Sequence, residues 1–442
     1  MQNILIIGAG RSSSFLIKYL LNNAPTFNWK ITVADISLAN AKNKIGNSTH
    51  AEAVEFNIND ATQREKLISN AQIVISMLPA FMHMDVAHDC LRLGKHLATA
   101  SYVSKEMEAL HEEATKKNLL FLNEIGLDPG IDHMSAMKLI DELKEKGANI
   151  TSFKSYCGGL VAPESNDNPW GYKFSWNPRN VILAGQSTAQ FFENNQLKFI
   201  PYNRLYTQTN SVEVDGLGKF DAYANRDSLS YRQPYGLENI PTILRGTLRE
   251  HNYCKAWNVF VKLGLTDDTF VIENTNNLTY NDLINSFLQN GNQPTKDKLK
   301  QFMKDEWDAD IESKLEWLGL FNNEKIKLDK GTPAQLLQDL LEKKWLLKKE
   351  DKDMIVMQHQ FEYELAGKKQ QIFSSLIVKG EDDVYTAMAK TVGLPLAIAV
   401  KLILTDKIKV RGVQIPVIKA IYEPILQELE TFDVIFHEKI IN

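Results

Sequence analysis

The apolar run Ile4-Leu5-Ile6-Ile7 passes directly into Gly8-Ala9-Gly10-Arg11-Ser12-Ser13, and Phe15 to Leu21 continues with helical periodicity. A strand that turns tightly into a helix can cradle a pyrophosphate. The first glycine makes the turn, the second lets the backbone approach the phosphates, and the helix N-terminus supplies amides and the positive end of its dipole. Ser13 stands where the usual fingerprint has a third glycine, and its hydroxyl either packs or donates to the pyrophosphate. Asp35 closes the next strand-like run, Trp29 to Ala34, where a carboxylate accepts the adenine ribose hydroxyls. It would repel a phosphate on that ribose, so the pattern reads as NAD; Lys42 and Lys44 keep NADP open.

Other polar segments suggest the second reactant. Asn123-Glu124-Ile125-Gly126-Leu127-Asp128-Pro129-Gly130-Ile131-Asp132-His133 follows an apolar strand and places Asp128 where a carboxylate would bind an ammonium group, while Asp132 reads as a helix N-cap. Asn225-Arg226-Asp227-Ser228 and Leu244-Arg245-Gly246-Thr247-Leu248-Arg249 supply arginines, which grip carboxylates bidentately. Gly246 would let a backbone amide reach the ligand; surface salt bridges are the alternative for each arginine. Two arginines and an aspartate suit a small amino acid with several carboxylates. Tyr102 and Asp128 are candidates for an acid and a base, and His133, at a helix start, reads more readily as structural.

The elements that must position these residues follow a strand-helix rhythm through the first third of the chain. Strands are predicted at 4–7, 30–34, 53–56, 73–77, 96–99 and 119–122, and helices at 12–23, 37–45, 61–69, 82–93 and 104–117. This is the pattern of a Rossmann-type, doubly wound parallel α/β sheet, whose ligands lie at the carboxyl ends of the strands. Ser76-Met77-Leu78-Pro79 would then line the nicotinamide side. A domain is expected over 1–125 completed by about 385–442, an inserted α/β substrate domain over 126–263 and 351–384, and a small helical subdomain over 264–350. A helix over 381–404 is expected to break at Gly393-Leu394-Pro395.

Composition narrows the class. With 442 residues, more than one domain is expected. A net charge of -5 and no basic stripe argue against a nucleic-acid partner. Cys90, Cys157 and Cys254 are widely spaced and suggest neither a disulfide framework nor a metal site. No run approaches the roughly 18 apolar residues of a membrane span, so a cytoplasmic protein is expected.

The chain resembles the glutamate-forming saccharopine dehydrogenases, also called saccharopine reductases, along nearly its whole length. The resemblance is carried by Gly8-Ala9-Gly10, Thr99 to Val103, Asn123 to His133, Tyr156-Cys157-Gly158-Gly159-Leu160, Arg226-Asp227-Ser228, Arg245 to Arg249 and Tyr385 to Pro395. Its most specific segment is Asn168-Pro169-Trp170-Gly171-Tyr172-Lys173-Phe174-Ser175-Trp176. The resemblance implies interconversion of saccharopine with glutamate and aminoadipate semialdehyde through an imine, with NAD or NADP, in a homodimer. It implies substrate contacts at Ser101, Tyr102, Asp128, Arg226, Arg245, Gly246 and Thr247. Nucleotide contacts are implied at Gly10, Arg11, Ser12, Ser13, Asp35, Ser76, Met77, Leu78, Leu127 and Trp176. Asp35 departs from the fungal pattern of a small residue followed by a basic one. A related C–N forming reductase such as a carboxynorspermidine synthase, and a dinucleotide-binding sensor without catalysis, are the alternatives.

Overall fold

The structure is a computed structural model that describes residues 1–184 and 186–441. Six strands alternate with helices in its first part: β1 (Gln2–Ile7), β2 (Trp29–Asp35), β3 (Ala51–Glu55), β4 (Ile73–Ser76), β5 (His96–Ala98) and β6 (Leu120–Leu122). Every residue of β4 and the last four of β1 are buried, so neither strand has a face left for solvent. Such strands belong in the middle of a parallel sheet covered by helices on both sides. The observed order is β6-β5-β4-β1-β2-β3, all parallel, with the strand Gly412–Gln414 added beside β6. That last strand is only three residues long, too short to show periodicity. The order reverses between β1 and β4, which is where ligands of this architecture bind.

Helix α1 (Ser14–Phe27) outruns the predicted segment, passing through Pro25 to Asn28, whose left-handed conformation ends it. The segment expected as one helix over 104–117 is two, Lys105–Glu108 and His111–Lys116. The helix Ala387–Leu404 runs without interruption through Gly393-Leu394-Pro395, although the sequence predicts a break there. Packing decides this: a Cβ on Gly393 would lie 2.8 Å from the Leu16 backbone nitrogen, so glycine is what lets this helix lie directly on α1. Among the described residues it is the one helix long and apolar enough to cross a membrane, and 78% of it is buried within the chain.

The chain divides into two compact units, Met1–Ile150 with the chain from Tyr363 onward, and Thr151–Glu362. The second contains β7 (Asn149–Val161), β8 (Ala189–Glu193), β9 (Gln196–Ile200), β10 (Thr209–Val214), β11 (Gly218–Ala224) and β12 (Thr242–Glu250). The sheet order is β10-β11-β12-β7, followed by the strand Asp353–Leu365, and β8 joins β12 to β9. β12 is parallel to β7 and antiparallel to β11, which makes it the spine of the unit. The helices Tyr280–Ser286, Thr295–Met303, Ala309–Leu318 and Pro333–Trp345 share one apolar core with this sheet.

The segment Asn168 to Trp176 is mostly part of that core. Trp170, Tyr172 and Phe174 are fully buried and pack with Tyr253, Trp257, Phe260 and Trp345. Lys173 is buried as well, with its ammonium 2.7 Å from Asp351 and 2.9 Å from Asp167. A buried charge is tolerated only when paired, and removing one partner strands the other. Lys173→Met is therefore expected to destabilise the protein by about 2–4 kcal/mol, measured by urea unfolding, with Lys173→Arg losing less.

Candidate active site

The turn after β1 is held by its neighbours on both sides. Gly8 has φ +106°, and its amide donates to the Ala34 carbonyl at 2.8 Å; the Met77 amide donates to the Ile7 carbonyl at 2.8 Å. A Cβ on Gly8 would meet the Met77 carbonyl oxygen at 3.0 Å, so both the conformation and the space call for glycine. The Ala9 amide donates to Asp35 Oδ2 at 2.6 Å and the Ser37 amide to Oδ1 at 2.8 Å. Each carboxylate oxygen keeps a second lone pair for a ligand hydroxyl. Ile36, beside it, is 72% exposed and offers an apolar face at the same edge.

Gly10 and Arg11 are exposed and Ser12 is half-buried. Neither Gly10 nor Ser13 caps its helix with a side chain, and a Cβ on Gly10 would meet no atom of the described residues within 4 Å. An open, uncapped helix start with its positive dipole end fits a diphosphate. Ser13 is different: it is fully buried, and both its amide and its hydroxyl donate to the Gly10 carbonyl, at 3.2 and 2.8 Å. Its hydroxyl shapes the turn from beneath. Lys44 donates to the Ser14 hydroxyl, and burial lowers its pKa.

At the ends of β4 and β5, Ser76 and Ser101 are joined by a residue that sequence reasoning missed. His83 Nδ1 lies 2.8 Å from Ser76 Oγ, and Nε2 lies 2.7 Å from Ser101 Oγ. Its spacing in a helical pattern carried no signal, because only the fold brings it under both serines. Met77 and Leu78 are half-buried at the same edge. The loop after β6 is laced to the one after β5: the Glu124 amide donates to the Ser101 carbonyl at 3.0 Å and Ile125 to Thr99 at 3.3 Å. This brings Tyr102 and Asp128 together, with the phenol donating to Asp128 Oδ1 at 3.3 Å. Tyr102 is exposed, and Asp128 is the one partly exposed residue in an otherwise buried run, Phe121 to Ala136.

Behind Asp128 the loop is clasped. His133 is fully buried, with Nε2 at 2.8 Å from Glu124 Oε2 and Nδ1 at 3.5 Å from Asp132 Oδ2. Glu124 Oε1 accepts from the Val103 amide at 3.0 Å, and Asp132 Oδ1 from the Gly130 amide at 2.6 Å. So His133 is structural, and Asp132 bonds back to Gly130 where the sequence predicts a cap for the amides ahead. Leu127 is buried, and its carbonyl accepts from the Asp132 amide.

In the second unit, Arg245 and the Asn225 to Ser228 corner are pinned to each other. The Asn225 amide donates to the Arg245 carbonyl at 2.7 Å, and the Arg245 amide donates to Ser228 Oγ at 2.8 Å. Arg226 is exposed, whereas Arg245 is buried with its guanidinium 4.3 Å from the Tyr231 ring centre. Gly246 is buried against Tyr156, Thr247 is half-buried, and Trp176 is half-buried on the aromatic core. Arg249 is no ligand-facing fork: it is buried among Tyr172, Tyr223 and Tyr253.

The saccharopine dehydrogenase NADP-binding domain model matches residues 4–122, and that of the saccharopine dehydrogenase C-terminal domain matches residues 126–434. The chain is 34% identical, over the full length of both proteins, to a saccharopine dehydrogenase (NADP, L-glutamate-forming) of Schizosaccharomyces pombe. The chain belongs to the saccharopine dehydrogenase family. A solved structure of apo histidine-tagged saccharopine dehydrogenase (L-Glu forming) from Saccharomyces cerevisiae is similar over all of both chains, with a TM-score of 0.90 at 32% identity. A mitochondrial alpha-aminoadipic semialdehyde synthase of Rattus norvegicus is 34% identical over 99% of this chain and 47% of its own. As a member of the family the chain is an oxidoreductase with a nicotinamide-dinucleotide-binding domain.

His83 gives this family member a measurable acid sensitivity. Burial pushes the His83 pKa down to about 4 from the ordinary 6.5. Its contribution to stability is therefore whole above pH 6.5 and is lost as pH falls toward 4, because only the unfolded chain takes up the proton in that window. Stability should drop by about 2–3 kcal/mol across it from this group, and His83→Asn should remove that part of the slope in denaturant titrations at successive pH values.

Proposed function

We propose that this chain interconverts saccharopine with L-glutamate and L-2-aminoadipate 6-semialdehyde, as a glutamate-forming saccharopine dehydrogenase. The observation that carries this reading is the 34% identity over the whole chain to an enzyme of that name, on a chain that has the Tyr102–Asp128 pair and the Arg245 corner. Saccharopine carries three carboxylates and two amines. In this reading Arg226, Arg245 and the amides of Gly246 and Thr247 take carboxylates, while Ser101, Tyr102 and Asp128 take the end that reacts. The bound dinucleotide accepts or supplies the hydride. Asp128, hydrogen-bonded by Tyr102, holds the proton that the amine loses or the carbinolamine needs to expel water. Holding the reacting carbon in one orientation supplies much of the rate in a reaction of this kind.

Saccharopine with oxidised dinucleotide should release glutamate and form reduced cofactor in stoichiometric amounts; neither product appearing overturns the reading. Arg245→Ala should lower kcat/KM for saccharopine about thirtyfold or more, since the loss of one partner of a buried charged contact costs roughly 2–5 kcal/mol. The reading includes a homodimer in a reducing compartment such as the cytoplasm, consistent with three free, buried cysteines, and light scattering on the same preparation reads its mass.

The nucleotide we assign is NAD. The S. pombe enzyme and the matched domain are both named for NADP, but a ribose phosphate would meet the carboxylate of Asp35, which two backbone amides hold in place. Lys44, which is half-buried, is already bonded to Ser14. Side-by-side titrations should give the larger kcat/KM with NAD, and Asp35→Ala should shift the NAD/NADP ratio toward NADP about tenfold or more. A wild-type preference for NADP overturns the assignment without touching the reaction.

A further inference from the structure

His83 lies within hydrogen-bond distance of both Ser76, at the end of β4, and Ser101, after β5. It is buried, with each ring nitrogen within 2.8 Å of a serine hydroxyl; Thr99 Oγ1, at 3.5 Å from Nε2, is its remaining polar neighbour. Burial keeps the ring neutral at physiological pH. A neutral imidazole carries one proton: one nitrogen donates and the other accepts. The two serines therefore cannot be set independently. If Nε2 carries the proton, Ser101 Oγ accepts it and its own hydroxyl proton is free to point away from the ring. Nδ1 then takes the proton of Ser76, whose oxygen is left with lone pairs only. If Nδ1 carries the proton, every role reverses.

The geometry points to His83 as a positioning residue that couples cofactor binding to substrate binding through its tautomer. This rests on the proposed placement of Ser76 beside the nicotinamide and Ser101 beside the substrate. A carboxylate at Ser101 needs a donor, which selects the Nε2–H tautomer and leaves Ser76 as an acceptor. An acceptor at Ser76 suits the N–H of a carboxamide, as on the nicotinamide ring. Each ligand thus prepares the hydroxyl that the other meets, and the effect is reciprocal.

The test is the affinity for reduced dinucleotide with and without saturating saccharopine, a pair that forms a non-reacting ternary complex, measured by cofactor fluorescence or calorimetry. In the wild type saccharopine should tighten the dinucleotide about three- to tenfold, the scale of one neutral hydrogen bond. His83→Asn can replace only Nδ1 and His83→Gln only Nε2, so each keeps one serine contact and both should bring the ratio close to one. Their binary affinities should split: His83→Asn weakens saccharopine more than dinucleotide, and His83→Gln does the reverse. A merely structural histidine would give neither the split nor the loss of the ratio. A wild-type ratio of one, or variants that keep the wild-type ratio, overturns the coupling. Ser101→Ala that leaves saccharopine affinity unchanged overturns the placement of Ser101, and the coupling with it. If both His83 variants fail to fold, Ser76→Ala carries the same test: it removes the cofactor end alone and should abolish the ratio while saccharopine still binds.

Discussion

Parallel strands cannot be joined by tight turns, and in the seven-stranded sheet every strand ends at the same edge, where the loop that follows it begins. That constraint places Gly8 to Ser13, Asp35, Ser76 to Leu78, Ser101 with Tyr102, and Asp128 along one line of strand ends, though they are spread over more than a hundred residues of sequence. The backbone hydrogen bonds that extend the sheet past its last regular residues, from Gly8 to Ala34 and from Met77 to Ile7, carry the register into the site itself. The same bonds that hold the sheet together hold the functional loops.

A second layer of polar groups keeps those loops from moving independently. The Asp35 carboxylate is bonded to the turn that follows β1, His83 ties the end of β4 to the residues after β5, and Glu124 with His133 and Asp132 clasps the loop that presents Asp128. All of these groups are buried or half-buried, where an unsatisfied polar atom is costly and a satisfied one is rigid. The site residues that face outward, Arg11, Tyr102 and Arg226 among them, stand on loops whose own freedom has been removed. This is the arrangement that hydride transfer requires, because the reacting carbons must be held within contact distance and in one orientation.

The second unit solves a different problem. Its long β12 carries Arg245, Gly246, Thr247 and Arg249 in sequence, and strand alternation sends neighbouring side chains to opposite faces. Arg245 packs on Tyr231, while Arg249 enters a cage of tyrosines. Arg245 and Arg249, four residues apart, share one face of the strand, and their surroundings make the first a candidate ligand contact and the second a core residue. The aromatic string from Asn168 to Trp176 is similar: most of it fills the core beneath the helices.

Much of the nucleotide-binding unit was legible in the chain alone, because its signals are local. An apolar strand followed by glycines has one good use, and an acidic residue at the end of the next strand has few others. The six strands could be read because each is a short run whose pattern does not depend on distant residues, most of them buried. The seventh strand Gly412–Gln414 beside β6, the unbroken helix through Pro395, and the conversion of His133 and Asp132 into a clasp were decided by tertiary packing, which overrides local preference when burial is at stake. His83 shows the limit most clearly. Its residue type and spacing are unremarkable in sequence, and its role exists only because the strand order of the sheet sets Ser76 and Ser101, twenty-five positions apart, on either side of one imidazole. Sequence determines the residues that can bind and react; only the folded sheet decides which of them share a hydrogen bond.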